Sequence, residues 1–151
     1  MTRNVAREIT VQLLFGADLR EISNKAFAEE FLTEENFESL AVECELYNEF
    51  PDEGSLNYIN EIASKVDEHK EDIDSSISKF SHGWTLNRIS GTALAVLRCA
   101  VCENLYMDDV PNGAAINSAV EIAKGYDEPE TVKFINGVLG SLVRSITDDS
   151  K

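Results

Sequence analysis

The stretch Leu86-Asn87-Arg88-Ile89-Ser90-Gly91-Thr92-Ala93-Leu94-Ala95-Val96-Leu97-Arg98-Cys99-Ala100-Val101-Cys102-Glu103-Asn104-Leu105-Tyr106-Met107 decides the fold. It is the most apolar part of the chain, and Ala93 to Leu97 has no polar residue at all. A segment this long, apolar on nearly every side, predicts a central helix covered by other elements. Leu97, inside the fully apolar run, is expected in the core.

Outward from that helix, the chain repeats the spacing of amphipathic helices. Upstream, Ala6, Ile9, Leu13 and Ala17 step by three and four, with Thr2 as the N-cap and the exit between Asp18 and Ser23. From Ala26 to Phe50, Phe27, Phe31, Phe37, Leu40, Val42, Leu46 and Tyr47 lie among many glutamates, which reads as one or two helices with Thr33 capping the second. Pro51, Asp52 and Gly54 predict a turn. Leu56, Ile59, Ala63 and Val66 form the next stripe; Ile73, Ile77 and Phe80 form another, and His82-Gly83-Trp84 reads as a loop. Downstream, Pro111 and Gly113 interrupt before a helix carrying Ile116, Ala119, Val120 and Ala123, closed by Lys124 and Gly125. Asp127 and Pro129 open a last helix with Ile135, Val138, Leu139, Leu142 and Ile146. No stretch alternates apolar and polar residues over a strand's length. The expectation is an all-α fold of about seven helices in a single domain, 1–151, with an N-terminal helical subdomain over 1–80 and a C-terminal one over 81–151.

Composition narrows the function. The chain has 151 residues, 28 acidic against 13 basic, and a formal charge of −15. Residues 21–74 hold 17 acidic and 3 basic residues, so nearly all the excess lies in one middle stretch. The remainder is close to balanced, which leaves room for an anion-binding face where the N-terminus meets the C-terminal half. No apolar run approaches the ~18–20 residues of a membrane span, and no signal-peptide pattern opens the chain. Three cysteines without a disulfide framework fit a reducing cytoplasm.

Enzymatic motifs are wanting. Cys99 and Cys102 form a C-x-x-C inside the most apolar helix, with no second cysteine pair and no nearby histidine, and read as core. Asp67, His69 and Glu71 imitate the start of a calcium loop, but Asp72 and Ser78 stand where Gly and Glu are required. His69 and His82 accompany no nucleophile motif. Gly137 and Gly140, a G-x-x-G in an apolar helix, are expected to let helices pack closely. There is no phosphate loop, dinucleotide fingerprint or H-E-x-x-H. Neither a metal nor a cofactor is expected, nor catalysis.

The few cations are informative. Arg3 and Arg7 lie four apart at the start of the first helix; Lys124, Lys133 and Arg144 belong to the last two, and Phe134 follows Lys133. A basic residue beside an exposed aromatic binds phosphate and stacks a base, which suits single-stranded RNA. The plainer alternative is an inward Phe134 with cations as ordinary surface charge.

The order of several segments resembles the NusB family of transcription antitermination factors. These are Ala95-Val96-Leu97-Arg98 with Glu103, Val110-Pro111, Ala115-Ile116-Asn117, Ala119-Val120-Glu121-Ile122-Ala123-Lys124 and Lys133-Phe134-Ile135-Asn136-Gly137-Val138-Leu139. Ala6-Arg7-Glu8 and Val11-Gln12-Leu13-Leu14-Phe15 agree at the N-terminus, and Trp84 with Arg88 resembles the lead into the family's central helix. The resemblance implies two small packed helical bundles and a non-enzymatic role. It implies binding of boxA-type single-stranded RNA with the ribosomal protein NusE, and assembly of an antitermination complex on RNA polymerase. By position it places RNA contacts at Arg3, Arg7, Glu130, Lys133 and Phe134; the charge argument adds Lys124. The chain departs from the pattern in its sparse N-terminal arginines and in the acidic stretch Glu29–Glu53. Fewer cations release fewer counterions, so RNA binding is expected mainly in complex with the basic partner. The alternative is a protein-interaction scaffold of the same fold with little RNA affinity of its own.

Overall fold

The structure, a computed structural model, describes residues 1–149. Among them are eight α-helices: α1 (Arg3–Arg20), α2 (Asn24–Phe31), α3 (Glu34–Ala41), α4 (Glu53–Glu68), α5 (Lys70–Phe80), α6 (Gly91–Tyr106), α7 (Asn112–Lys124) and α8 (Pro129–Asp149). Two 3-10 turns, Glu45–Tyr47 and Leu86–Arg88, complete the described secondary structure. The fold is all-α, with one more helix than a count of seven.

The extra helix comes from the acidic stretch. Leu32 leaves the helical region at φ −89°, ψ 64°, and Thr33 is extended, its hydroxyl accepting from the Asn36 N–H at 3.1 Å. The Asn36 amide then donates back to the Phe31 carbonyl at 2.9 Å, so both helix ends at the break are satisfied. An aromatic cluster holds the segment together: Phe37 meets Phe31, Tyr47 and Phe50 edge-on, with ring centroids 5.1–5.8 Å apart. Glutamates face water around it, and the acidic stretch is thus folded on its own aromatic residues. Burial pushes the Tyr47 hydroxyl up to about 12.

Two sequence boundaries shift. Gly54 lies in the first turn of α4, because the Asp52 carboxylate caps that helix, accepting from the Ser55 N–H at 2.8 Å. The central helix starts at Gly91 rather than Leu86: Ser90 is extended and its hydroxyl accepts from the Ala93 N–H at 3.1 Å. Ser90 also donates to Asp127 at 2.8 Å, and Thr92 donates to the same carboxylate, which ties the head of α6 to the α7–α8 turn. Gly91 is required by close approach, since a Cβ there would stand 2.8 Å from the Phe15 ring. Gly137 departs from the expectation of close packing, because a Cβ there meets nothing within 4 Å and the residue is exposed. That face of α8 is open.

α6 is the hub, packing on α1, α4, α5, α7 and α8. Residues from Ala93 to Glu103 are all buried, and Leu97 is fully enclosed. α1 lies against α6, α4, α2 and α7, while α8 lies against α7, α6 and α5. The amino-terminal helix therefore packs on C-terminal helices as its apolar stripe demands, through α6 and α7.

This packing can be tested at two positions. Leu97→Ala removes buried atoms and leaves a cavity in the core, and should destabilise by roughly 2–5 kcal/mol in urea denaturation. The Ser55 N–H bond, together with the Met1 amino group 3.1 Å away, lowers the Asp52 carboxyl from 3.8 to about 2. A depressed folded pKa gives stability that is present above the unfolded value and lost as pH falls towards 2. Asp52→Asn keeps the cap but not the charge, so its stability deficit at neutral pH should vanish as pH falls from about 5 to 2.

Candidate nucleic-acid interface

Arg7 is not on the surface. It is 7% exposed and forms a two-pronged ion pair with Glu103 of α6, its Nε 3.0 Å from Oε1 and its Nη2 3.0 Å from Oε2. The buried Tyr58 hydroxyl of α4 donates to the same carboxylate at 2.9 Å. Arg7 Nη1 reaches Asn4 Oδ1 at 3.2 Å, which also accepts from Ser118 of α7 at 2.9 Å. Burial by itself would lower the Arg7 guanidinium; the hydrogen bonds and charge of Glu103 outweigh it and hold it raised. Burial also raises the Tyr58 hydroxyl and the Cys99 thiol, so both stay neutral around the carboxylate. Nε, Nη1 and Nη2 each make an internal hydrogen bond, so the guanidinium serves the core. The side chain expected to face a phosphate is thus turned into the core.

The other candidates are accessible. Arg3 is exposed, with its guanidinium 4.2 Å from the centroid of the Tyr58 ring, a cation–π contact that roots it above the buried network. Lys124 is exposed and ion-paired with Glu121 at 2.9 Å, one turn back on α7. Such a pair is weak and competes little with a phosphate. Arg144 donates to Ser141 at 3.2 Å on the far half of α8.

At the head of α8, Glu130 and Lys133 are exposed and Phe134 is half-buried. Pro129 opens the helix, and Glu130 in its first turn complements the dipole. Phe134 stacks on Trp84, with centroids 4.4 Å apart and planes 20° from parallel. Trp84 arrives from the α5–α6 connection, where Gly83 holds a φ of +87° that other residues rarely adopt. Arg88 lies in the Leu86–Arg88 turn, and Gly83, Trp84 and Arg88 line a shallow concavity. Arg88 and Lys133 are exposed, with no ionic partner among the described residues.

The two ends of the expected surface make different contacts. α8 packs on α5, α6 and α7, whereas the start of α1 sits on α4, α6 and α7. Phe134 is thus joined to Trp84, whereas Arg7 is joined to Glu103 and Asn4. The sequence holds the signal for this grouping: a lone tryptophan after Gly83, with an arginine four residues later. Of the remaining motifs, Cys99 and Cys102 are buried free thiols, and no group of three or more acidic, histidine or cysteine side chains suited to a metal occurs among the described residues.

A family model supplies the context for this geometry: the model of the NusB family matches residues 4–144. The chain belongs to the NusB family. The transcription antitermination protein NusB of Acetivibrio thermocellus is 37% identical over 144 residues, covering 95% of this chain and 90% of that protein. Its counterpart in Alkaliphilus oremlandii is 36% identical over 143 residues, covering 95% and 94%. Among solved structures, T. maritima NusB superposes with a TM-score of 0.79 at 28% identity, covering 95% of this chain and 92% of its own. The structure of antitermination factors NusB and NusE in complex with double-stranded RNA has the same fold, with a TM-score of 0.77 at 23% identity over 95% of this chain and 96% of that one. No helix among the described residues is long and apolar enough to cross a membrane.

The buried pair has a measurable consequence. Glu103→Gln leaves Arg7 charged and uncompensated in the core and should destabilise by about 3–5 kcal/mol. Replacing both partners, Arg7→Met with Glu103→Leu, should lose much less than the sum of the two single variants. Urea denaturation of the four proteins measures that coupling.

Proposed function

We propose that this chain is a transcription antitermination factor that binds boxA-type RNA together with the ribosomal protein NusE and helps assemble an antitermination complex on RNA polymerase. It acts in the cytoplasm and catalyses no reaction. The observation that carries the reading is the match to antitermination proteins along almost the whole chain. The solved complex of that fold holds both NusE and RNA. The residues proposed to meet RNA are Arg3, Arg7, Lys124, Glu130, Lys133 and Phe134, all but Arg7 accessible in the unbound chain, with the unit spanning 1–151 as N-terminal (1–80) and C-terminal (81–151) helical halves.

Electrostatics supports a shared site. The chain carries −15, and the buried ion pair removes Arg7 from the few cations near the proposed surface. Unaided binding to a polyanion is then weak at physiological salt, and a basic partner supplies what this surface lacks. The same withdrawal of Arg7 favours the second reading, a scaffold that holds its protein partner and leaves RNA to others.

A salt series separates the two. With NusE present, boxA-type RNA should bind more tightly than a scrambled RNA, and Lys133→Gln should flatten the slope of log affinity against log salt by about 0.7. Without NusE, affinity should fall steeply. RNA affinity no greater for the complex than for NusE alone would leave only the scaffold.

A further inference from the structure

We infer that the concavity lined by Gly83, Trp84 and Arg88 is a base-binding subsite for single-stranded RNA, in which the Trp84 ring is the stacking face and Phe134 holds that ring in place. The inference rests on the RNA-binding reading above and moves the aromatic contact from Phe134 to Trp84.

Geometry comes first. Stacking at 4.4 Å commits one face of each ring to the other. Phe134 rides on a helix anchored by the fully buried Ile135 and Leu139, so it is the fixed member of the pair. Trp84 sits in a connecting loop and is half-buried, and with Arg88 it borders an open concavity. Its indole N–H donates to no protein acceptor among the described residues. A ring backed on one side and open towards a concavity is what an unstacked base requires.

Charge decides the ligand class. Arg88 lines the concavity and Lys133 adjoins Phe134 in sequence; both are exposed and without an ionic partner among the described residues. In a chain of net −15, two free cations around an aromatic pair fit a phosphate–base unit. Another aromatic stack, His69 on Tyr106 at 3.9 Å, makes the contrast. The hollow beside it is lined by Asp67, Glu68, Glu71 and Asp72 with Lys70, four carboxylates against one ammonium, an excess that would repel a phosphate. The large cleft between α1, α2, α4 and α5 holds Arg98, but that guanidinium is bound by Asp74 at 2.9 Å and Asp18 at 3.3 Å.

Trp84 is the single tryptophan of the chain, so its emission reports on the subsite directly. The full-length protein, mixed with NusE, is titrated with boxA-type single-stranded RNA. Indole emission is read against the same titration of the Trp84→Phe protein, and affinity is measured separately from the anisotropy of labelled RNA. Emission should be quenched with the same midpoint as binding. Trp84→Ala should weaken binding roughly 5- to 150-fold, the range for loss of one stacked base, while Trp84→Phe keeps most of the affinity. Arg88→Gln should flatten the salt slope by about 0.7. Phe134→Leu should lower the anisotropy of Trp84 emission in the free protein and weaken RNA binding while the helical signal stays intact. If Trp84→Ala fails to fold, the quenching, Arg88→Gln and Phe134→Leu still decide. RNA that binds with unchanged Trp84 emission and an unchanged Arg88→Gln slope overturns the subsite and leaves the RNA reading standing. Quenching by NusE alone, with no further change on adding RNA, makes Trp84 a protein contact and also overturns it. No RNA binding by the parent with NusE overturns both.

Discussion

Burying a full positive and a full negative charge is tolerable only if each finds the other with good geometry, and this condition governs how α1 lies on α6. Arg7 and Glu103 meet through two prongs at 3.0 Å, with both side chains almost wholly out of water. Slippage of either helix by one residue would strand both charges in a low-dielectric interior, a penalty far larger than any apolar contact regained. Tyr58 and Asn4 fill the remaining hydrogen-bonding positions, so α4 and, through Ser118, α7 are drawn into the same register. A second latch lies towards the other end of the helix pair, where Arg98 of α6 takes Asp74 of α5 and Asp18 of α1. α1 thus carries a cation then an anion along its length, and α6 presents the matching charges in the opposite order. The pattern admits one relative direction.

That constraint has a functional consequence. A cation that registers the core is drawn away from a polyanion, and Arg7 is engaged in this way. Several accessible cations lie instead at the edges: Arg3 over the Tyr58 ring, Lys124 beside Glu121, Arg88 beside Trp84, and Lys133 next to Phe134. Arg88 and Lys133 have no acidic partner among the described residues. An interface of this kind has directional aromatic contact but little net attraction, which suits a protein that meets RNA as one member of a complex.

The acidic middle separates its apolar and charged residues in the same way. Its aromatic residues fold inward on one another, Phe37 touching Phe31, Tyr47 and Phe50, and leave the glutamates to water. The stretch therefore concentrates negative charge on α2, α3 and the turn after them, far in sequence from the aromatic pair at the head of α8. Lys65 of α4 closes the other side by donating to the Tyr106 carbonyl at the end of α6, 2.7 Å away.

Periodicity alone determined the helices, because an apolar face must be buried and its spacing names the element: Leu97 at the centre, Ile9 and Leu13 on α1, Ile135 and Leu139 on α8 are all enclosed as their spacing requires. Capping chemistry is local too, so Thr2, Thr33 and Pro129 mark helix starts directly in the sequence. The order of motifs was enough for the family. What sequence left open is whatever depends on residues brought together from far apart. Arg7 and Glu103 are separated by 96 positions, and nothing local distinguishes an arginine aimed at a distant carboxylate from one aimed at solvent. Gly137 lies in an apolar helix yet on its open side, because the direction of a face is set by its neighbours and not by its own composition. Trp84 and Phe134 stack across 50 residues of chain only because α5 and α8 both pack against α6. Spacing fixed which residues are buried; only the packing of the helices around α6 decided which polar and aromatic side chains meet.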